Sequence, residues 1–300
     1  MITMMRRSAG RGRLPDFVVI GAMKAGTTSL YHYLAGHPDI FMASVKELDF
    51  FVESGNWRRG LDWYMRRFEG TSAVAAGEAS TAYSKYPVVP GVPERIARVI
   101  PACKIVYVVR DPIERIRSHY QHRVAIGAER ASLPEAVARD PVYIACSSYA
   151  MQLERYLDRF PSTQILLLTA ERLRRDREAT MRRTYRFIGV DEHVVPPTLG
   201  TEYYRTDGRA RYPPIAARVR HALKERVPAA KRAKELVDST LPRALRSRRR
   251  PGEPPAIAFT VPDETRERLL AALRDDIDRL AAYAPEAVDD WSLDPHDRAR

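Results

Sequence analysis

The sequence predicts an α/β fold of three layers: a central, mainly parallel sheet covered by helices, plus a C-terminal helical segment. Three observations predict it. Continuous apolar runs at 17–20 (FVVI), 104–109 (KIVYVV) and 164–169 (QILLLT) have the length of strands buried on both faces. Each run is followed by a stretch with apolar residues at helical spacing. Strand and helix patterns alternate along the chain, which is the order of a doubly wound parallel sheet.

The elements follow in order. Residues 18–20 form the first strand. A helix over 28–36 puts Leu30, Tyr31 and Leu34 on its inner side, and His37 with Pro38 closes it. Residues 74–78 read as a short strand. A helix over 93–100 opens with Pro93 in its first turn. The strand at 104–109 leads into a helix over 112–124. Another helix, 148–160, carries Leu153, Tyr156 and Leu157. The strand at 164–169 leads into a helix over 178–188 that Gly189 closes. Beyond Gly200 the character changes. Residues 205–214 form a basic loop with Gly and Pro. Residues 215–245 are basic and amphipathic, interrupted by Pro228 and Pro242, and 247–255 (SRRRPGEPP) reads as a linker. A final helix over 263–284 lines up Leu269, Leu273, Ile277 and Leu280 on one stripe that should dock on the main body.

Composition narrows the classes. Three hundred residues with 45% apolar content suffice for one large domain or two small ones. No apolar run reaches bilayer length, and the basic start (Arg6, Arg7, Arg11, Arg13) lacks a signal core, so a cytoplasmic setting is expected. Cys103 and Cys146 give neither a disulfide framework nor a metal-ligand spacing, so no metal is expected. Net charge is +12, and residues 205–250 hold fifteen Lys or Arg against four Asp or Glu. This segment suits an anionic partner or a solvated basic helix pair, and 214–250 is a candidate for peripheral membrane contact.

The stretch 17–30 (FVVIGAMKAGTTSL) carries the most chemistry. A buried strand, a loop with Gly21 and Gly26, and a helix opened by Thr27, Thr28 and Ser29 make an anion cradle. The helix start has unpaired N–H groups and the positive end of the dipole, and Lys24 adds a full charge. The glycine spacing is that of the nucleotide P-loop, G-x-x-x-x-G-K-[ST], so the fold is P-loop-like. Thr27, however, stands where that loop has lysine, and the lysine has moved to Lys24. The pattern resembles instead the K-x-G-T-[TS] loop of sulfotransferases that use 3′-phosphoadenosine 5′-phosphosulfate (PAPS). That resemblance implies that Lys24, Ala25, Gly26, Thr27, Thr28 and Ser29 wrap the 5′-phosphate, with Lys24 on the leaving-group side of the sulfuryl group.

Arg110 follows the 104–109 strand directly, at the carboxyl end where open α/β sheets collect ligands. Ser118 comes eight residues, about two helical turns, later. RDPIERIRS (110–118) matches the family segment R-[DN]-P-x-x-R-x-x-S, which implies that Arg110 and Ser118 grip the 3′-phosphate. RTDGR (205–209) resembles the loop that closes over the nucleotide in glycan-type members, which implies further contacts from Arg205, Gly208 and Arg209. Asp207 departs from that pattern.

VKELDFF (45–51) resembles the K-E-x-x-F-F segment of heparan-type and related bacterial sulfotransferases, in which the glutamate is the general base. The resemblance makes Glu47 the candidate base, against the plainer reading of a surface charge pair. NWRRGLDWYMRRF (56–68) resembles the segment that follows in that branch. Glu78 aligns with an acidic position near the acceptor, with Ala79 where heparan 3-O members often have lysine. His32, His37, His119 and His122 are rival bases.

The expected organisation is a flexible basic N-terminus (1–13), a PAPS-binding core (14–213), a basic helical insert and linker (214–255), and a C-terminal helix packing on the core (256–300), with Asp290-Trp291-Ser292 resembling the end of bacterial members. The expected reaction moves a sulfuryl group from PAPS to a hydroxyl or amine of a glycan, glycolipid or small molecule. A P-loop kinase or hydrolase would need lysine after Gly26. A nucleic-acid binder would need aromatic stacking residues or a reading helix in the basic segment, which lacks them, so no nucleic acid is expected.

Overall fold

In the computed structural model of the chain, residues 12–201, 203, 259–291 and 293 are described. The strands are β1 (Phe17–Gly21), β2 (Ile40–Met42), β3 (Ala75–Ala79), β4 (Lys104–Val109) and β5 (Ile165–Thr169). They form one sheet in the order β2-β3-β1-β4-β5, and every pairing is parallel. Phe17, Val18, Val19 and Ile20 have no exposed surface, as a central strand covered on both faces requires. Val18 lies in register with Glu78 on one side and Ile105 on the other.

The chain leaves β1 towards β2 and β3, then returns to the other flank with β4 and β5. The loops after β1 and β4 therefore part at the carboxyl end of the sheet centre, and this reversal leaves a crevice for ligands. The helices that matter for the site are α1 (Thr27–Ala35), α2 (Leu61–Met65), α3 (Val92–Val99) and α4 (Pro112–Ala125).

Three strands run within a residue of the expected bounds, and 104–109 matches fully. The expected strand at 74–78 is shifted to Ala75–Ala79, because Val74 is exposed. Gly77 on this strand leaves room for the Phe17 ring, which a Cβ would overlap. Strand β2 escaped the sequence reading: three residues at a sheet edge are too few to show a period. The helix expected over 148–160 spans Tyr149–Leu157, and Gly189 closes Arg177–Ile188 in the left-handed conformation, with φ 94°.

The C-terminal helix Asp263–Tyr283 buries Leu269, Leu273, Ile277 and Leu280, as its stripe predicts. Each such side chain contributes roughly 1.5–3 kcal/mol. The docking is also polar. Buried Asp276 accepts from the N–H groups of Ala150 and Met151 at 2.9 Å each, capping the helix Tyr149–Leu157 from outside it. Asp290 accepts from Thr169 Oγ1 (2.9 Å), Arg172 Nε (2.6 Å) and Arg175 Nη2 (3.1 Å), while Trp291 is buried beside it. Cys103 and Cys146 are free and buried. The basic segment 214–250, its linker, Ser292 and most of the N-terminal tail lie outside the described residues.

Candidate active site

The loop between β1 and α1 turns tightly. The Ala22 N–H donates to the Val108 carbonyl at 2.5 Å, tying the loop to β4, and the Ala25 N–H donates to the Ala22 carbonyl at 3.1 Å. Two residues take positive φ: Lys24 at 74° and Gly26 at 90°. Glycine accepts this conformation freely, whereas lysine adopts it only when its surroundings impose it. Gly26 sits at the helix N-cap with no capping side chain, and the first intrahelical bond joins the Leu30 N–H to the Gly26 carbonyl. The N–H groups of Gly26, Thr27, Thr28 and Ser29 thus have no intrahelical acceptor and form an anion cradle. Ala25 is fully buried and offers only its backbone. The Ser29 hydroxyl donates to the Tyr203 carbonyl at 3.1 Å, so Ser29 offers the cradle its N–H.

Arg110 leaves the end of β4 and reaches this loop: its Nη1 donates to the Lys24 carbonyl at 3.3 Å. Nη2 lies 3.6 Å from Glu114. Burial and the nearby Arg174 lower the guanidinium's pKa from its ordinary value. Asp111 caps α4, accepting from the N–H groups of Ile113 (2.9 Å) and Glu114 (3.0 Å), and so aims the helix start at the same crevice. Ser118 lies further along α4 and is buried.

The third loop follows β2. The Glu47 N–H donates to the Ala79 carbonyl at 2.9 Å, which fixes this loop over the end of β3, the neighbour of β1. Glu47 Oε2 accepts from the Thr81 N–H (2.6 Å) and Thr81 Oγ1 (3.0 Å), and Oε1 pairs with Lys46. Its side chain keeps 36% exposure, so it meets solvent as well as these partners. Glu47 and Asp49 also take positive φ, 63° and 49°, so all three non-glycine residues with this conformation among those described lie in these two loops.

Three of the rival histidines are otherwise engaged. His119 is buried, packs on Tyr143, and is pushed down to about 2 by burial and by Arg115 and Arg123, which leaves it a poor proton acceptor. His37 is buried with Nε2 2.8 Å from the Asp191 carbonyl. His32 stacks on Tyr203 at 4.1 Å, and burial and Lys46 lower its pKa. Glu78 needs a correction: it is fully buried beneath the site, held by Tyr64, Ser80 and Tyr83, and so cannot face an acceptor. Arg205, Gly208 and Arg209 lie outside the described residues.

Sequence reasoning missed Thr81, because its contact with Glu47 spans 34 residues and leaves no spacing signal, whereas the charge pair with the neighbouring Lys46 is the plainer reading the sequence offered. It also missed a cationic surface beside this loop. Arg59 and Arg67 both lie over the Trp63 ring, at 5.0 and 4.5 Å, and none of Arg58, Arg59, Arg66 and Arg67 has a carboxylate partner among the described residues. Trp63 and Trp57 pack on Phe50 of the Glu47 loop. Among the described residues no group of three or more His, Cys, Asp or Glu side chains is arranged to hold a metal ion.

A parallel sheet with unpartnered helix N–H groups after its central strand, an arginine after the next strand and a carboxylate loop over the neighbouring strand gathers charged groups at the strand ends of an α/β fold. The sulfotransferase domain matches residues 14–202, and the chain belongs to that family. Human bifunctional heparan sulfate N-deacetylase/N-sulfotransferase 3 is 34% identical over 199 residues, covering 60% of this chain and 23% of that protein. The human N-deacetylase/N-sulfotransferase 2 is 30% identical over 200 residues, 59% of this chain and 22% of its own length. The chain thus spans about a quarter of the length of these curated relatives. A solved sulfotransferase from Alicyclobacillus acidocaldarius superposes with a TM-score of 0.65 at 28% identity, over 90% of this chain and 96% of that one.

Proposed function

We propose that this chain transfers a sulfuryl group from PAPS to a hydroxyl or amine of a glycan, glycolipid or small-molecule acceptor. The observation that carries this reading is the hydrogen bond from Arg110 to the Lys24 carbonyl, which joins two cationic loops into one site at the strand ends. The cradle fits a phosphate, because four N–H groups without intrahelical acceptors converge there. PAPS, when bound, supplies the activated sulfuryl group and a phosphate leaving group.

The chain's own residues then divide the work. The N–H groups of Gly26 to Ser29 hold the 5′-phosphate, and Arg110 with Ser118 holds the 3′-phosphate. Lys24 stabilises the negative charge that develops on the bridging oxygen as its bond to sulfur breaks. Glu47 takes the proton from the acceptor as the new bond to sulfur forms, and Thr81 and Lys46 orient its carboxylate. Arg205, Gly208 and Arg209 add contacts to the nucleotide by resemblance. The arginines at 58, 59, 66 and 67, which have no carboxylate partner among the described residues, favour an acceptor that carries negative charge.

Thermal stabilisation tests the donor half. A ligand that binds only the native state raises the melting point. Adenosine 3′,5′-bisphosphate without metal should stabilise the protein by several degrees more than ATP with magnesium at equal concentration. Equal shifts would point to a nucleotide kinase or hydrolase instead. A radiolabelled sulfate-transfer screen over acidic glycans, neutral glycans, lipids and phenols tests the acceptor half.

A further inference from the structure

Beneath the Glu47 loop lies a polar cluster inside the core. Glu78, on β3, has no exposed surface, yet its carboxylate collects three hydroxyls. Tyr64 Oη donates to Oε1 at 2.5 Å, Tyr83 Oη donates to Oε1 at 2.9 Å, and Ser80 Oγ donates to Oε2 at 2.8 Å. Glu78 and Ser80 share one side of the strand because they lie two residues apart. Two of these hydroxyls have a second task. Ser80 Oγ accepts the Asp49 N–H at 3.0 Å, and Tyr83 Oη accepts the Phe51 N–H at 3.3 Å. The third hydroxyl belongs to Tyr64, whose ring stacks on Phe50 at 4.1 Å and 6°. Three consecutive residues of the loop, 49, 50 and 51, thus rest on groups that Glu78 gathers.

Proton bookkeeping gives the arrangement its direction. A hydroxyl has one proton and two lone pairs, and an ionised carboxylate only accepts. With Glu78 ionised, all three hydroxyl protons point at it. Ser80 and Tyr83 then turn only lone pairs towards the loop, which is what the two N–H donors need. We infer that Glu78 is a positioning residue: through Ser80 and Tyr83 its carboxylate orients the backbone of residues 49–51, and thereby holds Glu47 in its left-handed conformation over the crevice. The inference rests on the proposed role of Glu47 for its link to turnover, but not for its structural content.

The three hydroxyls work against what burial does to the carboxylate. Burial pushes Glu78 up to about 7, opposed by the hydrogen bonds from Tyr64, Ser80 and Tyr83 and reinforced by Asp49. The buried Cys103 thiol and the Tyr156 phenol also feel its charge. Uncompensated burial of a carboxylate is costly, so a fold that keeps one here with three donors is using it to orient them.

The test is Glu78→Gln, which keeps the shape but puts N–H donors where the hydroxyl protons must go. Ser80→Ala and Tyr83→Phe each remove one relay and leave the carboxylate in place. The readouts, at pH 8, are hydrogen exchange of the peptide spanning 46–52, the dissociation constant for adenosine 3′,5′-bisphosphate, and kcat against KM for an acceptor found in the screen. In all three variants, exchange at 46–52 should rise roughly tenfold or more, nucleotide affinity should stay within about twofold, and kcat should fall on the order of tenfold to a hundredfold as the base is misplaced. Ser80→Ala in the E78Q background should add little, because the two act as one unit. Unchanged exchange at 46–52 in Ser80→Ala and Tyr83→Phe overturns the inference. So does a loss in which nucleotide affinity falls in step with kcat, the mark of general unfolding. If the wild-type chain transfers no sulfuryl group, the proposed function fails, while the exchange measurement still decides the role of Glu78.

Discussion

The two loops that meet over the sheet are built by different means. The loop of Lys24 is local: its turn, its glycines and the helix that follows all lie within residues 21–35, and its main outside ties are to Val108 and Arg110. The loop of Glu47 is held from a distance. Its partners Ala79, Ser80, Thr81 and Tyr83 lie more than thirty residues on. Both contain a non-glycine residue at positive φ, but one is imposed by a compact turn and the other by a network under the site. The difference teaches that, in the proposed reaction, the group assigned to the donor rests on a short motif and the group assigned to the acceptor rests on tertiary contacts.

Mutations can break this division or sharpen it. The largest effect is expected for Glu47→Gln. Losing the proton acceptor should cut kcat by roughly 10²- to 10⁴-fold. The affinity for adenosine 3′,5′-bisphosphate, measured by calorimetry, should be nearly unchanged; a matching loss of nucleotide binding would erase the boundary between the loops. Next comes Lys24→Ala, which removes one charge from the position where, in the proposed reaction, negative charge develops. Turnover should fall on the order of 10²- to 10³-fold, well beyond the loss in nucleotide affinity. Equal losses would make Lys24 a binding residue only.

The smallest effect is on stability, and it probes the network below the Glu47 loop. Glu78 is pushed up from the ordinary carboxylate value of 4.5 to about 7. The folded state therefore holds this proton more tightly than the unfolded state. The contribution is complete below pH 4.5 and is lost as pH rises through 7, on the order of 3 kcal/mol across the window. Urea unfolding of the wild type between pH 5 and 8 should show a fall in stability that Glu78→Gln lacks. Parallel curves for the two proteins would mean that Glu78 titrates as it does in the unfolded chain.

Legibility followed the same line. The strands at 17–20, 104–109 and 164–169 announced themselves because a strand buried on both faces needs an unbroken apolar run. The Leu269–Leu273–Ile277–Leu280 stripe did so because a docking helix must repeat every three to four residues. Asp276 did not, since a carboxylate that caps a helix 126 residues away looks in sequence like any charge on a solvated face. Glu78 was misread for the same reason. A buried acid and an active-site acid share one letter, and only the three hydroxyls around it tell them apart. The arginines at 59 and 67 gave no sign that they share the ring of Trp63.

By itself the amino-acid order determined the buried strands at 17–20, 104–109 and 164–169, the glycine turn and helix start after the first and the arginine at 110, because each is a property of neighbouring residues and needs no partner from afar. The tertiary structure alone decided that Arg110 touches the Lys24 loop, that Thr81 holds Glu47, and that Glu78 supports from below what it was expected to face from above. Those are contacts between segments that only folding brings together, and a one-dimensional pattern carries no record of which distant side chains share a hydrogen bond.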